Sequence, residues 1–340
     1  MPRLGRITPV YSPGLNDARR GRRDVLPIPD PRPPIMKILF GVDGSDGSLN
    51  AIRQTSAMTS PGHDALVFYY APPEMNFPSD EEAAARSATS KKLLADAVFA
   101  KALECVPDAL RGGVQTIVGT REPKTGILLA ADESRADVIV LGARGSGPVA
   151  AIKLGGVARH VARAANIPVM IVRPRTHGES EPLRILLATD GSDASQQAGA
   201  SLRHVHWPES AQGFVMTVVE PYLSPAIPDW LLKQARDPET EAMAANWAKE
   251  HEANKNQTRV DLAAYAKTLA APFHAHEPIV AEGHPAEQIL KTINEKKIDL
   301  LVVGAQGKNA WQRFMIGSTS ETLLAQAPCS VLLVRRREKP

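Results

Sequence analysis

One spacing of glycines occurs twice in this chain and governs what it can fold into. Gly142, Gly145 and Gly155 are separated by two and then nine residues, and Gly304, Gly307 and Gly317 repeat the interval. Each set begins where an apolar run ends, ADVIVL (136–141) in one case and IDLLVV (298–303) in the other. Each is followed by a helix-like segment and a further apolar run. A strand that turns through glycines into a helix start lets backbone N–H groups converge on an anion. Glycine permits the tight turn and the close approach of a phosphate. The chain therefore reads as a duplicated phosphate- or nucleotide-binding module. One copy is altered where a hydroxyl should sit: Ser318 follows the last glycine of the second copy, and Gly156 stands there in the first.

The rest of the chain repeats with it. KILFGV (37–42), ALVFYY (65–70), VQTIVG (114–119), ADVIVL and PVMIVR (168–173) read as strands with helices between. Ser45 and Ser48 are candidate caps for the first helix. Pro123 begins another, which runs to residue 133. THGESEP (176–182) is a linker. RILLAT (184–189), FVMTVVEP (214–221), EPIVAEG (277–283), IDLLVV and SVLLVRR (330–336) then restate the order. Apolar strands alternating with helices mean a parallel sheet covered on both faces. Asp43 matches Asp190 at an offset of 147, and Gly142 matches Gly304 at 162, so the second copy carries 15 extra residues. They fall in 222–240, around Trp230, as a lid, an interface piece or a packed surface excursion.

At 340 residues, two domains are expected. The net charge is +3, and residues 1–35 supply +4 from seven Arg against three Asp, leaving the remainder near neutral. No broad nucleic-acid surface is implied. Residues 1–35 are Pro-, Gly- and Arg-rich without apolar periodicity and read as a disordered basic tail, dispensable for folding. A chain starting at Met36 would contain every repeated element. Cys105 and Cys329 are the only cysteines, which fits a reducing compartment and gives no disulfide framework. No run is long enough to span a membrane, and Arg19-Arg20 lacks the apolar region of an export signal.

Asp43 and Asp190 end the first strand of each copy, in VDGSDGS and TDGSDAS. Ligands of open α/β sheets sit beyond the carboxyl ends of strands. An Asp there can orient a ribose, hold a metal, or simply open a turn; its recurrence beside each glycine set favours ligand contact. No G-x4-G-K-[ST], H-E-x-x-H, G-x-S-x-G or C-x-x-C is present. His274 and His276 alternate on a possible strand with His284 near; solvent-facing histidines explain them better than a metal site.

The pattern G-x2-G-x9-G-[ST], together with ILFGVDGSDGS, ILLATDGSDAS, VMTVVEP and HPAEQIL, resembles the universal stress protein family over residues 36–336. The resemblance implies an α/β fold of two tandem domains, 36–175 and 183–337. Each would be a five-stranded parallel sheet of order 3-2-1-4-5 with helices on both faces. It also implies ATP, with room for magnesium beside the phosphates. In copy two, Asp190 would meet ribose and phosphate, and the backbone at Val218 the adenine. Gly304, Gly307, Gly317, Ser318 and Ser320 would hold ribose and phosphates, with Thr319 adjoining. In copy one, Asp43, Tyr69, Gly142, Gly145 and Gly155 match as a weaker second site. There Gly156 replaces the hydroxyl, Ala158 stands where Ser320 stands, Arg121 takes the place of Gly283, and Tyr69 is set against Val218.

The implied protein is a cytoplasmic ATP-binding factor of stress survival. Its alternatives are a slow ATPase or nucleotidyl transferase, and an interaction module without nucleotide. Last strands of separate family members commonly pair between subunits, so PVMIVR and SVLLVRR are expected to pair within one chain as a pseudo-dimer, with a homodimer of whole chains still open.

Overall fold

The computed structural model describes residues 36–74, 83–145, 154–175, 177–178, 180–219, 238–306 and 316–335, apart from the side chains of 83, 84, 238–240, 243, 244 and 247. The basic tail and most of the 222–240 insertion lie outside the described residues.

The first half contains β1 (Lys37–Gly41), α1 (Asp46–Ser56), β2 (Ala65–Tyr70), α2 (Ala83–Glu104), α3 (Asp108–Arg111), β3 (Gln115–Val118), α4 (Pro123–Ser134), β4 (Val138–Gly142), α5 (Gly156–Ala164) and β5 (Val169–Val172). The second contains β6 (Arg184–Ala188), α6 (Asp193–Ser201), β7 (Gln212–Val219), α7 (Pro238–Ala266), β8 (Ile279–Glu282), α8 (Pro285–Lys296), β9 (Leu300–Gly304), α9 (Ser318–Gln326) and β10 (Ser330–Val334). The strands form one sheet in the order β3-β2-β1-β4-β5-β10-β9-β6-β7-β8. Each half has the order 3-2-1-4-5, parallel throughout. The halves meet where β10 pairs antiparallel with β5, Leu332 opposite Met170.

The sequence explains this junction. Both last strands are wholly buried, VMIV and SVLLV, and an apolar edge of this kind requires a partner. The outer edges are short instead; β3 has four residues, three of them exposed. Apolar layers cover both faces. One is built with α4, α5, α8 and α9, the other with α1, α2, α6 and α7.

Local signals recur at matching places. Ser45 caps α1 and Ser192 caps α6, each oxygen accepting an N–H three residues on at 3.3 Å. Ser48, the other candidate, is buried inside α1. Proline opens α4 and α8. Arg135 and Lys297 end those helices in the left-handed region.

Arginine fastens the junction. The Arg173 guanidinium, 7% exposed, donates to Leu324 O at 2.6 Å and Cys329 O at 3.2 Å, at the C-terminal end of α9. Its counterpart Arg335 donates to Ala162 O and Arg163 O at the end of α5. Each half thus places a cation on the negative end of the other half's helix. Arg163 and Glu321 add an ion pair between the two helices.

Cys329 lies in this buried seam, and burial pushes its thiol up to about 12. Cys105 is half-exposed. An alkylating reagent at neutral pH should modify Cys105 and spare Cys329, because the thiolate is the nucleophile. Peptide mass spectrometry checks this; equal labelling would show that the seam opens readily.

Candidate functional site

Both glycine sets lie at the carboxyl edge of the sheet, between β4 and α5 and between β9 and α9. The Asp-Gly-Ser-Asp segments beside them fold alike. Asp43 Oδ1 accepts Ser45 N, and Asp190 Oδ1 accepts Ser192 N, both at 3.0 Å. Gly44 and Gly191 both take φ +75, which a side chain would strain. The aspartates therefore do open turns, as their simplest reading holds, while remaining at the strand ends where a ligand would lie.

The glycines of the repeated spacing do different work from a left-handed turn. None of those described has positive φ. Gly142 lets α1 approach: a Cβ there would lie 2.6 Å from the Gly47 backbone. Gly304 does the same for α6, where a Cβ would lie 2.9 Å from Ser195 N. Gly145 lies beneath Asp43, whose Oδ2 would be 2.5 Å from an added Cβ. Gly155 and Gly317 close the loops, their N–H groups donating to Ala143 O at 2.7 Å and Ala305 O at 2.9 Å. Gly307 lies outside the described residues.

Neither Gly155 nor Gly317 offers a side-chain cap, so α5 and α9 begin with uncapped N–H groups. α1 and α6, on the opposite face, are capped. Ser318 is exposed at the first position of α9, with Thr319 half-buried beside it. Ser320 turns inward: it is 7% exposed, and its hydroxyl donates to Gly304 O at 2.8 Å. It braces α9 against the end of β9. Copy one has Ala158 in that place, also buried.

The register corrects one equivalence. Tyr69 stands opposite Gly41, and Met216 stands opposite Ala188. Tyr69 therefore corresponds to Met216, and Val218 to Ala71. The sequence match slipped by two residues, which preserves the face of a strand and so leaves the apolar alternation intact. Val218 is half-buried against the core and pairs with Ala281.

Tyr69 is 3% exposed and its hydroxyl has no hydrogen-bond partner. It fills space left by two glycines: a Cβ on Gly119 or Gly126 would overlap the phenol. Burial raises the Tyr69 pKa. A buried, unsatisfied hydroxyl costs about 1–3 kcal/mol. Tyr69→Phe should therefore raise stability by about 1 kcal/mol, measured by urea unfolding. A loss of similar size would mean that the hydroxyl has an acceptor.

His274 and His284 are exposed, as solvent-facing histidines would be, and His276 is half-buried. His274 ends a 3-10 turn, Ala271–His274, rather than a strand, because Pro272 and the turn interrupt extended pairing. His276 stacks on Phe214 at 4.3 Å. His284 is the cap residue of α8. Among the described residues no group of three or more His, Cys, Asp or Glu gathers to hold a metal. No helix among them is long and apolar enough to cross a membrane. A cleft of about 410 Å³ lies between the halves, lined by Met36, Met58, Met170, Trp207 and Leu332. It sits away from both glycine sets and is walled by apolar side chains. Sequence reasoning did not anticipate it, because it arises only from the pairing of β5 with β10.

A doubled 3-2-1-4-5 sheet with a glycine turn and an uncapped helix at each carboxyl edge defines a tandem α/β protein built from two like domains. The family model described as the universal stress protein family matches residues 34–173 and 183–335. The chain belongs to that family. A universal stress protein of Mycolicibacterium smegmatis is 26% identical over 319 residues, covering 88% of this chain and 97% of its own. The crystal structure of a universal stress protein from Archaeoglobus fulgidus has a TM-score of 0.55 at 17% identity, covering 88% of this chain and 98% of that one. A family protein of Arabidopsis thaliana, solved with AMP bound, matches at the level of one domain: 17% identity, 42% of this chain, 93% of its own, TM-score 0.29.

Proposed function

We propose that this chain is an adenine-nucleotide-binding regulatory factor of stress survival, with ATP held mainly by its C-terminal half. The observation that carries this is Ser318, exposed at the uncapped start of α9, at the same carboxyl edge of the sheet as the Gly304 turn and Asp190. Backbone N–H groups and a hydroxyl there suit a phosphate. Asp190 suits a ribose, and the backbone at Val218 the base. Ser320 acts behind them as a positioning residue.

The edge of this half carries Asp190, Asp193 and Glu287, with Glu282 paired to Lys255 and Glu321 to Arg163. A magnesium ion would offset the repulsion between these groups and a triphosphate. With no three-ligand cluster described, it would be held by phosphate oxygens and at most one or two carboxylates, as is usual for this ion. Among the described residues neither half shows a positioned base or an arginine finger, so binding rather than turnover is the reading. A cytoplasmic setting and the domain limits 36–175 and 183–337 belong to the same proposal, as does homodimerisation of whole chains.

Mass analysis of nucleotide retained on the purified protein, followed by titration with ATP and Mg²⁺, tests this. One tight equivalent per chain without turnover is expected. No bound nucleotide and no heat of binding would favour the interaction module, and steady release of ADP the enzyme.

A further inference from the structure

The pairing of β5 with β10 leaves the two faces of the sheet unlike. On one face α5 and α9 meet over the junction through the Arg163–Glu321 pair. On the other, α1 packs on β4 and β5 and α6 on β9 and β10, and a groove runs between these two helices. Strand period sets its floor. Val140, Met170 and Leu332 stand in one row across β4, β5 and β10 and belong to the apolar layer of this side. The cleft of about 410 Å³ is one end of the groove. A cleft of about 320 Å³ is the other, and the two share Met58, Met170 and Leu300.

The likeness of the halves would make these ends equal, and their side chains make them different. The smaller end holds Arg53 and the Arg175–Asp299 ion pair, closed at 3.0 Å. The larger end has Ala200 where Arg53 would recur, Pro168 where Ser330 would, and Trp207 where the other half has Ser60. The Trp207 indole N–H donates to Leu202 O at 2.9 Å, so the ring offers the cleft an apolar surface. Met36, Met58 and Met170 add walls that adapt in shape.

The titratable groups of the lining are Asp137, His204 and Arg335. Asp137 Oδ2 accepts Lys37 N at 2.8 Å, and His204 is exposed. Arg335 differs from both. Its Nη2 donates to two carbonyls of α5, and its Nε is buried without a hydrogen-bond partner. Buried donors in native structures are normally satisfied. A guanidinium donor left open beside an apolar chamber of ligand size is matched by an acceptor that a ligand brings. Continued two residues outward, the register of β4, β5 and β10 sets Asp137 and Arg335 on either side of Ile167. A carboxylate at that distance opposes a doubly charged head group and favours a single charge.

We propose that this cleft binds a medium-chain aliphatic monocarboxylate, with its head group at Arg335 and its chain over Met170 and Trp207. The carboxylate is ionised at neutral pH and accepts from the guanidinium in a charge-assisted bond. The site is separate from the glycine turns, and the proposal does not rest on nucleotide binding.

Calorimetric titration of the full chain with hexanoate, octanoate and decanoate, and with octanol, is the test. One equivalent of each carboxylate should bind, about fourfold tighter for every added methylene. Ala200→Trp places an indole in the cleft from an exposed position on α6 and should abolish binding. Arg335→Gln should weaken octanoate about tenfold or more and leave octanol unchanged, whereas a merely structural role would weaken both alike. Arg53→Gln, at the other end of the groove, should alter neither. Unfolding midpoints of the three variants show whether the fold is intact. The proposal is overturned if octanoate and decanoate do not bind, or if affinity does not rise with chain length. It is overturned equally if Ala200→Trp binds as wild type does, if Arg335→Gln spares octanoate or weakens octanol as much, or if Arg53→Gln removes binding.

Discussion

Arg173→Met should destabilise the protein by about 2–5 kcal/mol, since each buried carbonyl left without its donor costs about 1–3 kcal/mol. The guanidinium reaches from the end of β5 to Leu324 O and Cys329 O in the other half. Methionine retains much of the apolar stem but supplies no donor, and the negative end of α9 loses its cation. Burial lowers the Arg173 pKa, opposed by Cys329 and reinforced by the charge of Arg144. The desolvation cost is therefore already met in the native state, and the hydrogen bonds are what offset it. Arg335→Met is the matched control. Arg335 is only half-buried, so its two carbonyls on α5 can turn to water and a smaller loss is expected. Urea unfolding of both variants decides the matter. Equal losses would mean that burial at this seam does not govern the energetics.

The junction shows what a sequence of this kind makes legible. Two apolar final strands, each ending in arginine, announced an edge that needed covering, and pairing them was the economical solution. The strand order followed from alternation and the family resemblance. What the sequence concealed was finer than an element. A two-residue slip set Tyr69 against Val218, since strands repeat every two residues and both readings kept the apolar face inward. The glycines suggested a tight turn that admits a phosphate, yet Gly142 and Gly304 serve close approach of α1 and α6, and positive φ falls on Gly44 and Gly191 instead. Such contacts join segments about 100 residues apart, which local pattern does not encode. Ser320 illustrates the same limit. Its place in the motif implied a phosphate, while packing of α9 on β9 directs its hydroxyl to Gly304 O.

Ser318→Ala should weaken ATP binding about 10- to 10²-fold, the value of one charged hydrogen bond at about 1.5–3 kcal/mol. Asp190→Ala should do comparable damage by a different route. It removes the carboxylate that accepts Ser192 N, loosening the turn at the start of α6, as well as the acceptor offered to a ribose. Asp43→Ala breaks the same turn in the N-terminal half, where Ser45 is bonded through both its N–H and its hydroxyl. It should leave tight ATP binding almost untouched. Ser320→Ala separates positioning from contact. It would leave Gly304 O without its donor, so it should cost stability first and affinity only through the displaced start of α9. Ala158 holds the equivalent place in copy one without such a brace. Calorimetric titration with ATP and Mg²⁺ across the four variants, beside their unfolding midpoints, gives the comparison. Two equal sites in wild type, or loss of tight binding only with Asp43→Ala, would refute the assignment of tight binding to the C-terminal half.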